Sequence, residues 1–245
     1  MKHLLKLHMD NLAREKRPVN LVQNETGATI YVYDVISSDW GVSAMSVIQA
    51  IAQAGESETL TVRVNSPGGD VFESKAIIAA IQSFKGKTVA IIDGLCASAA
   101  TSIAIACNEV EMASGALFMI HNANGMAYGD KTDMRDTADL LEKVEGTIVA
   151  GYVEKTGKDA EDIAAMMEKE TWMTADEALA NGFVDRIGPE KATANTWNLS
   201  AYSNAPPPDP KTPTPHTEPA PVAGFFMAAA NTNRLRLALS SASRA

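Results

Sequence analysis

Between residues 20 and 188 the apolar positions follow two alternating periods. Residues 28–36, "ATIYVYDVI", are rich in β-branched and aromatic side chains and read as a strand. From Ser43 the stretch "SAMSVIQAIAQA" moves to helical spacing, with Ser43 as the N-cap. "TLTVRVN" alternates as a strand, "SPGGD" is a turn, and "VFESKAIIAAIQSF" returns to helical spacing. "KTVAIID" is the next strand, and it runs into a helix of almost wholly small residues, "DGLCASAATSIAIAC". Two short strands follow, "EVEMA" and "ALFMIHN", around the Ser114–Gly115 turn. From Lys131 to Thr156, Met134, Ala138, Leu141, Val144, Ile148 and Tyr152 recur every three or four residues, and Gly157 is the stop signal. "DAEDIAAMMEK" and "TADEALANG" are further helices, the second with Thr174 as N-cap, and "FVDRI" is the closing strand. Strands separated by helices predict an α/β domain with a largely parallel sheet.

Proline sets the expected boundaries. Eight of the 11 prolines fall in "APPPDPKTPTPHTEPAPVA". That composition offers little to bury and reads as a stiff, solvated linker. The reading is therefore a lead over 1–27, a domain over 28–190, a disordered linker over 191–222 and a tail over 223–245. The tail carries Phe225, Phe226, Met227, Leu235 and Leu237 beside Arg234 and Arg236.

The chain has 245 residues, 46% of them hydrophobic, enough for one ordinary core and a tail. A formal net charge of −9 argues against a generic nucleic-acid binder. Cys96 and Cys107 lie eleven positions apart, which is neither a zinc spacing nor a disulfide framework, and they read as buried free thiols. The N-terminal apolar stretch is broken by Lys6, His8 and Asp10, and no run reaches membrane-span length. These features point to a soluble intracellular protein that uses no metal or cofactor.

The small-residue helix raises the question of chemistry. Ser98 lies near its first turn, where free backbone N–H groups gather. A nucleophilic serine needs a base, an orienting group for that base, and N–H donors for the oxyanion. Of the four histidines, His3 and His8 lie in the lead and His216 in the linker, so His121, at the end of "LFMIHN", is the base on offer. Gly68 and Gly69 open the backbone of "NSPGGD", and the N–H of Ala99 is a second donor. Each feature alone has a plain structural reading, as a turn, a cap or a polar strand end. Their joint occurrence in one domain is what points to a hydrolase.

At "VNSPGGDV", "DGLCASAATSIA", "FMIHN" and "ETWMTADEALANGFVD" the chain resembles the Clp protease proteolytic subunit, over roughly residues 28–187. The resemblance implies a crotonase-like spiral of ββα units with a long handle helix, matched by the stripe from Met134 to Tyr152. It implies a serine peptidase with Ser98 as nucleophile, His121 as base, and the N–H groups of Gly69 and Ala99 as oxyanion hole. The triad acid falls on Glu170, in place of an aspartate, ahead of Asp176 and Glu177. Homo-oligomeric rings acting on polypeptides are implied as well, in the bacterial cytoplasm.

The N-terminus does not resemble the family's pore loop, which meets an ATP-driven unfoldase, and "HNA" stands where the family has His-Gln-Pro. The wording of the motifs, with the linker and tail, is closer to the ClpP-like prohead proteases of tailed phages, which process capsid and scaffold chains inside assembling heads. Three alternatives remain: a housekeeping Clp subunit, an acyl-CoA enzyme of the crotonase fold, and a non-catalytic assembly protein. The pairing of Ser98 with His121 argues against the acyl-CoA enzyme.

Overall fold

The computed structural model describes residues 3–12, 14, 19, 21–23, 27–191 and 197–207. The elements run α1 (His3–Asp10), β1 (Leu21–Gln23), β2 (Gly27–Val32), α2 (Ala44–Ala54), β3 (Thr59–Ser66), α3 (Val71–Ser83), β4 (Lys87–Ala97) and α4 (Ala99–Ile105). They continue with β5 (Glu109–Ser114), β6 (Leu117–Ile120), α5 (Lys131–Thr156), α6 (Ala160–Glu168), β7 (Thr171–Met173), α7 (Ala175–Ala180) and β8 (Arg186–Lys191). Among the described residues the strands form one sheet in the order β1-β2-β3-β4-β5-β8. The central pairs β2–β3, β3–β4, β4–β5 and β5–β8 are parallel, while β1 adds antiparallel to β2.

Strand β4 changes neighbours along its length. Val89–Ile92 pair with β5, and Leu95–Ala97 pair with β6, which in turn carries β7 antiparallel. The strand therefore delivers its last residues away from the main sheet, where Ser98 follows. The helix starts are set by local capping: the Ser43 side chain accepts from Ser46 N, and Asp70 accepts from Phe72 N and Glu73 N. At the far end of α5, Gly157 takes the left-handed conformation (φ 70°) that closes a helix without a Cβ clash.

Two apolar clusters hold the fold. The larger includes Ile30, Val62, Ile77, Ile92, Ile103 and Phe118. The smaller gathers Leu7, Val35, Leu95, Ala97, Met119, Trp197, Leu199 and Tyr202. Successive strand residues face opposite sides, and along β4 and β6 they divide accordingly. Cys96, Phe118 and Ile120 belong to the first cluster, and Leu95, Ala97 and Met119 to the second. The second cluster thus lies on the opposite face of the sheet.

That second face corrects both expected boundaries. Within the lead, α1 buries Leu7 completely, and β1 joins the sheet. Within the expected linker, Trp197, Leu199 and Tyr202 are buried. The two segments also hold each other. Asn11 Nδ2 donates to Asn198 O at 3.0 Å and Asn11 Oδ1 accepts from Asn198 N at 2.8 Å. Lys6 donates to Ser200 Oγ at 2.6 Å, and the Arg14 guanidinium stacks 3.2 Å from the Trp197 ring centroid. The reason is local composition: three large apolar anchors precede the prolines, and burying each contributes roughly 1.5–3 kcal/mol. The rest of the expected linker, 208–222, and the tail lie outside the described residues, as do 192–196.

Helix α5 matches its predicted span, but its stripe is not uniformly buried. Tyr152 is buried, and Leu141, Val144 and Ile148 are half-buried. Met134 and Ala138, in the first half, are exposed, together with Leu140. No helix among the described residues is long and apolar enough to cross a membrane.

Candidate active site

Ser98 occupies the junction between β4 and α4, at the N-cap position. A serine there ordinarily accepts a hydrogen bond from the first helical turn. This one makes no such cap. Its backbone has φ 55° and ψ −126°, outside the usual range of an L-residue and costing about 1–3 kcal/mol. The turn is held by Ser98 N donating to Met119 O at 2.9 Å and by Thr101 N donating to Ser98 O at 2.9 Å. It aims the side chain at β6, where Ser98 Oγ lies 2.7 Å from His121 Nε2. Small neighbours, Ala97, Ala99 and Ala100, permit this close approach.

His121 follows the last residue of β6, and Glu170 precedes the first residue of β7. The register Phe118–Met173, Met119–Trp172, Ile120–Thr171 brings these two strand ends side by side. Glu170, like Ser98, has positive φ (50°), and they are the two non-glycine residues so placed among those described. The Glu170 carboxylate accepts from Trp172 Nε1 at 3.1 Å, Ser203 N at 2.9 Å and Asn204 N at 2.7 Å. The other candidate acids sit elsewhere. Glu177 closes a capping box with Thr174, Asp176 lies exposed in the first turn of α7, and Asp130 caps α5.

Sequence reasoning missed Tyr202. Its phenol is buried and donates to Pro67 O, and burial pushes its pKa upward, with the nearby Glu170 charge adding to the effect. Its ring stands edge-on to His121 (centroids 5.4 Å, 78°) and to Trp172 (5.6 Å, 83°). The available signal was the spacing Trp197, Leu199, Tyr202 just ahead of the prolines.

The glycine turn lies against the serine. A Cβ on Gly68 would meet Ala97 O at 2.5 Å and Ser98 Cβ at 2.8 Å, and one on Gly69 would meet Ile36 O at 2.1 Å. Ile36 N donates to Gly68 O, and Asp70 N donates to Ile36 O. In such a parallel bridge the Gly69 N–H points to the other side, away from Ile36. Gly69, Ser98, Ala99 and His121 all line one cleft of about 260 Å³. Its far wall is apolar, from Met126, Leu140, Leu141, Val144 and Ile148. The structure therefore brings the predicted Ser98, His121, Gly69 and Ala99 to one cleft, with Glu170 beside the histidine at the strand ends.

Comparison with known proteins agrees with this geometry. A family model described as Clp protease matches residues 15–191. The ATP-dependent Clp protease proteolytic subunit of Streptococcus gordonii is 37% identical over 128 residues, covering 51% of this chain and 65% of the relative. That of Leuconostoc citreum is 28% identical over 162 residues, covering 64% of this chain and 81% of the relative. The chain thus spans just under two thirds of the first relative's length. A ClpP1 mutant from Listeria monocytogenes superposes with a TM-score of 0.59 at 23% identity, covering 65% of this chain and 90% of that one, and so shares its fold. Since the family model takes in most of the chain, from the first strand to the last, the chain belongs to the Clp protease family.

Proposed function

We propose that the protein is a serine-type endopeptidase. The observation that carries this is the 2.7 Å approach of Ser98 Oγ to His121 Nε2 from a strained backbone that forgoes helix capping. His121 Nε2 takes the Ser98 proton as Oγ attacks the scissile carbonyl, and the same nitrogen then gives it to the leaving amine. Water repeats the sequence on the acyl-enzyme. The oxyanion is held by the N–H groups of Gly69 and Ala99, preorganised and needing no reorientation. The Glu170 carboxylate stabilises the imidazolium from its place at the neighbouring strand end.

The apolar wall of the cleft suits a substrate with an apolar side chain before the scissile bond. Assembly into homo-oligomers follows from α5, whose first half carries Met134 and Leu140 into solvent (43% and 50% exposed). The finer role is processing of capsid and scaffold chains during phage head assembly. It is supported by an N-terminal helix folded onto the domain through Leu7 and by the proline-rich stretch that follows the domain. A housekeeping Clp subunit fits the names of the relatives equally.

Fluorogenic peptides varied at the residue before the scissile bond test the reading. Leu or Met there gives turnover well above Asp, and Ser98→Ala is inert. A purified protein that cleaves no peptide, or cleaves as well after Ser98→Ala, removes the proposal. Degradation of a folded protein only with an ATP-driven unfoldase selects the housekeeping reading.

A further inference from the structure

The described residues after β8 do not simply leave the domain; they cross the back of the candidate site. Tyr202 makes contacts there that belong to different parts of the machinery. Its ring edge meets the His121 imidazole, its other neighbour is the Trp172 indole, and its hydroxyl donates to the carbonyl of Pro67. Pro67 directly precedes Gly68 and Gly69, and Trp172 donates to Glu170. The next two residues, Ser203 and Asn204, give their N–H groups to the Glu170 carboxylate, and Asn204 Nδ2 donates to Lys169 O at 2.9 Å. The segment is fixed further back by Trp197 and Leu199 against Leu7 and Leu95.

We infer that residues 197–204 form a strap that completes the active site, with Tyr202 as a positioning residue that fixes the His121 ring and the glycine turn relative to each other. This rests on the peptidase reading above. An imidazole at a strand end, bonded on one side to a serine, can swing about χ1 and χ2 unless something packs against its ring. The glycine turn has two residues without side chains to hold it. Tyr202 is rigid, wholly enclosed and tied to Pro67, so one side chain restrains both. A displacement of about 1 Å in such a group costs roughly 10²-fold in rate.

The test compares wild type with Tyr202→Phe, which keeps the ring and frees Pro67 O, and Tyr202→Ala, which removes both. Second-order labelling by a fluorophosphonate, kcat and KM on a small peptide, and thermal midpoints are read together. Tyr202→Phe should fold normally and lose about 3- to 10-fold in kcat, with KM little changed. Tyr202→Ala should lose about 10²-fold.

The ring resonances of His121, assigned by comparison with His121→Gln, give a readout independent of turnover. They should shift in Tyr202→Phe and shift further in Tyr202→Ala. Unchanged resonances, or folded variants with wild-type kcat, overturn the positioning role. A wild type that neither labels nor cleaves overturns the peptidase reading instead, while the resonances still decide whether Tyr202 holds His121.

Discussion

Ser98 is held in a conformation that serine avoids. A capping serine would sit at negative φ with its oxygen over the helix; this one spends about 1–3 kcal/mol to face His121 instead. Ser98→Ala should therefore lower turnover by about four to six orders of magnitude while leaving the fold intact. On the proposed triad role, Glu170→Gln should cost roughly 10²–10⁴ in kcat, measured on the same peptide, because it removes the negative charge assigned to the imidazolium. Gly69→Ala should fail more broadly. Its Cβ would fall 2.1 Å from Ile36 O at φ 151°, so both the thermal midpoint and activity drop. Ser98, His121 and the glycines were legible in the sequence because few residues of those types fall at strand ends. The surroundings of Glu170 were not, since the amides that hold its carboxylate come from Ser203 and Asn204, more than thirty positions away. Sequence spacing carries no information about such a contact.

At the scale of elements, periodicity predicted α2, α3 and α5 closely, because each combines an apolar stripe with a capping side chain. Strands β1 and β7 were missed: with three residues each, neither is long enough to show a period. Along α5, Leu140, Leu141, Val144 and Ile148 line the cleft, while Met134 and Ala138 face solvent. A charged substitution at Met134 should accordingly give smaller species in sedimentation without unfolding. A wild type that is monomeric at high concentration would defeat the assembly reading. Buried groups in β4, in the turn after α4 and in α5 set an alkaline limit. Burial pushes Cys107 and Tyr152 up to about 12, and Cys96 well upward. Each keeps its proton in the folded state and releases it more readily when unfolded. Their contribution is thus complete below the unfolded pKa values and is lost as pH rises toward about 12. Denaturant midpoints should fall steadily from about pH 9 upward, and thiol reagents should modify neither cysteine at neutral pH without unfolding.

For the whole molecule, the parallel sheet and its order of elements follow from alternation of period, but the extent of the domain does not. Proline density marks the stretch from Pro206 onward. It could not reveal that Trp197, Leu199 and Tyr202 close the second face together with Leu7. A chain ending at residue 207 should therefore keep the stability and peptidase activity of the full protein, and one ending at residue 196 should lose both. Equal activity in the two would show that the second face is dispensable. The central claim, that Ser98 is an activated nucleophile paired with His121, is tested most directly by exposing the full-length protein to a fluorophosphonate probe and locating the adduct by mass spectrometry. A single adduct on Ser98 is expected, abolished in His121→Gln. Labelling at Ser66 or Ser102, or equal labelling of Ser98 without His121, would contradict it.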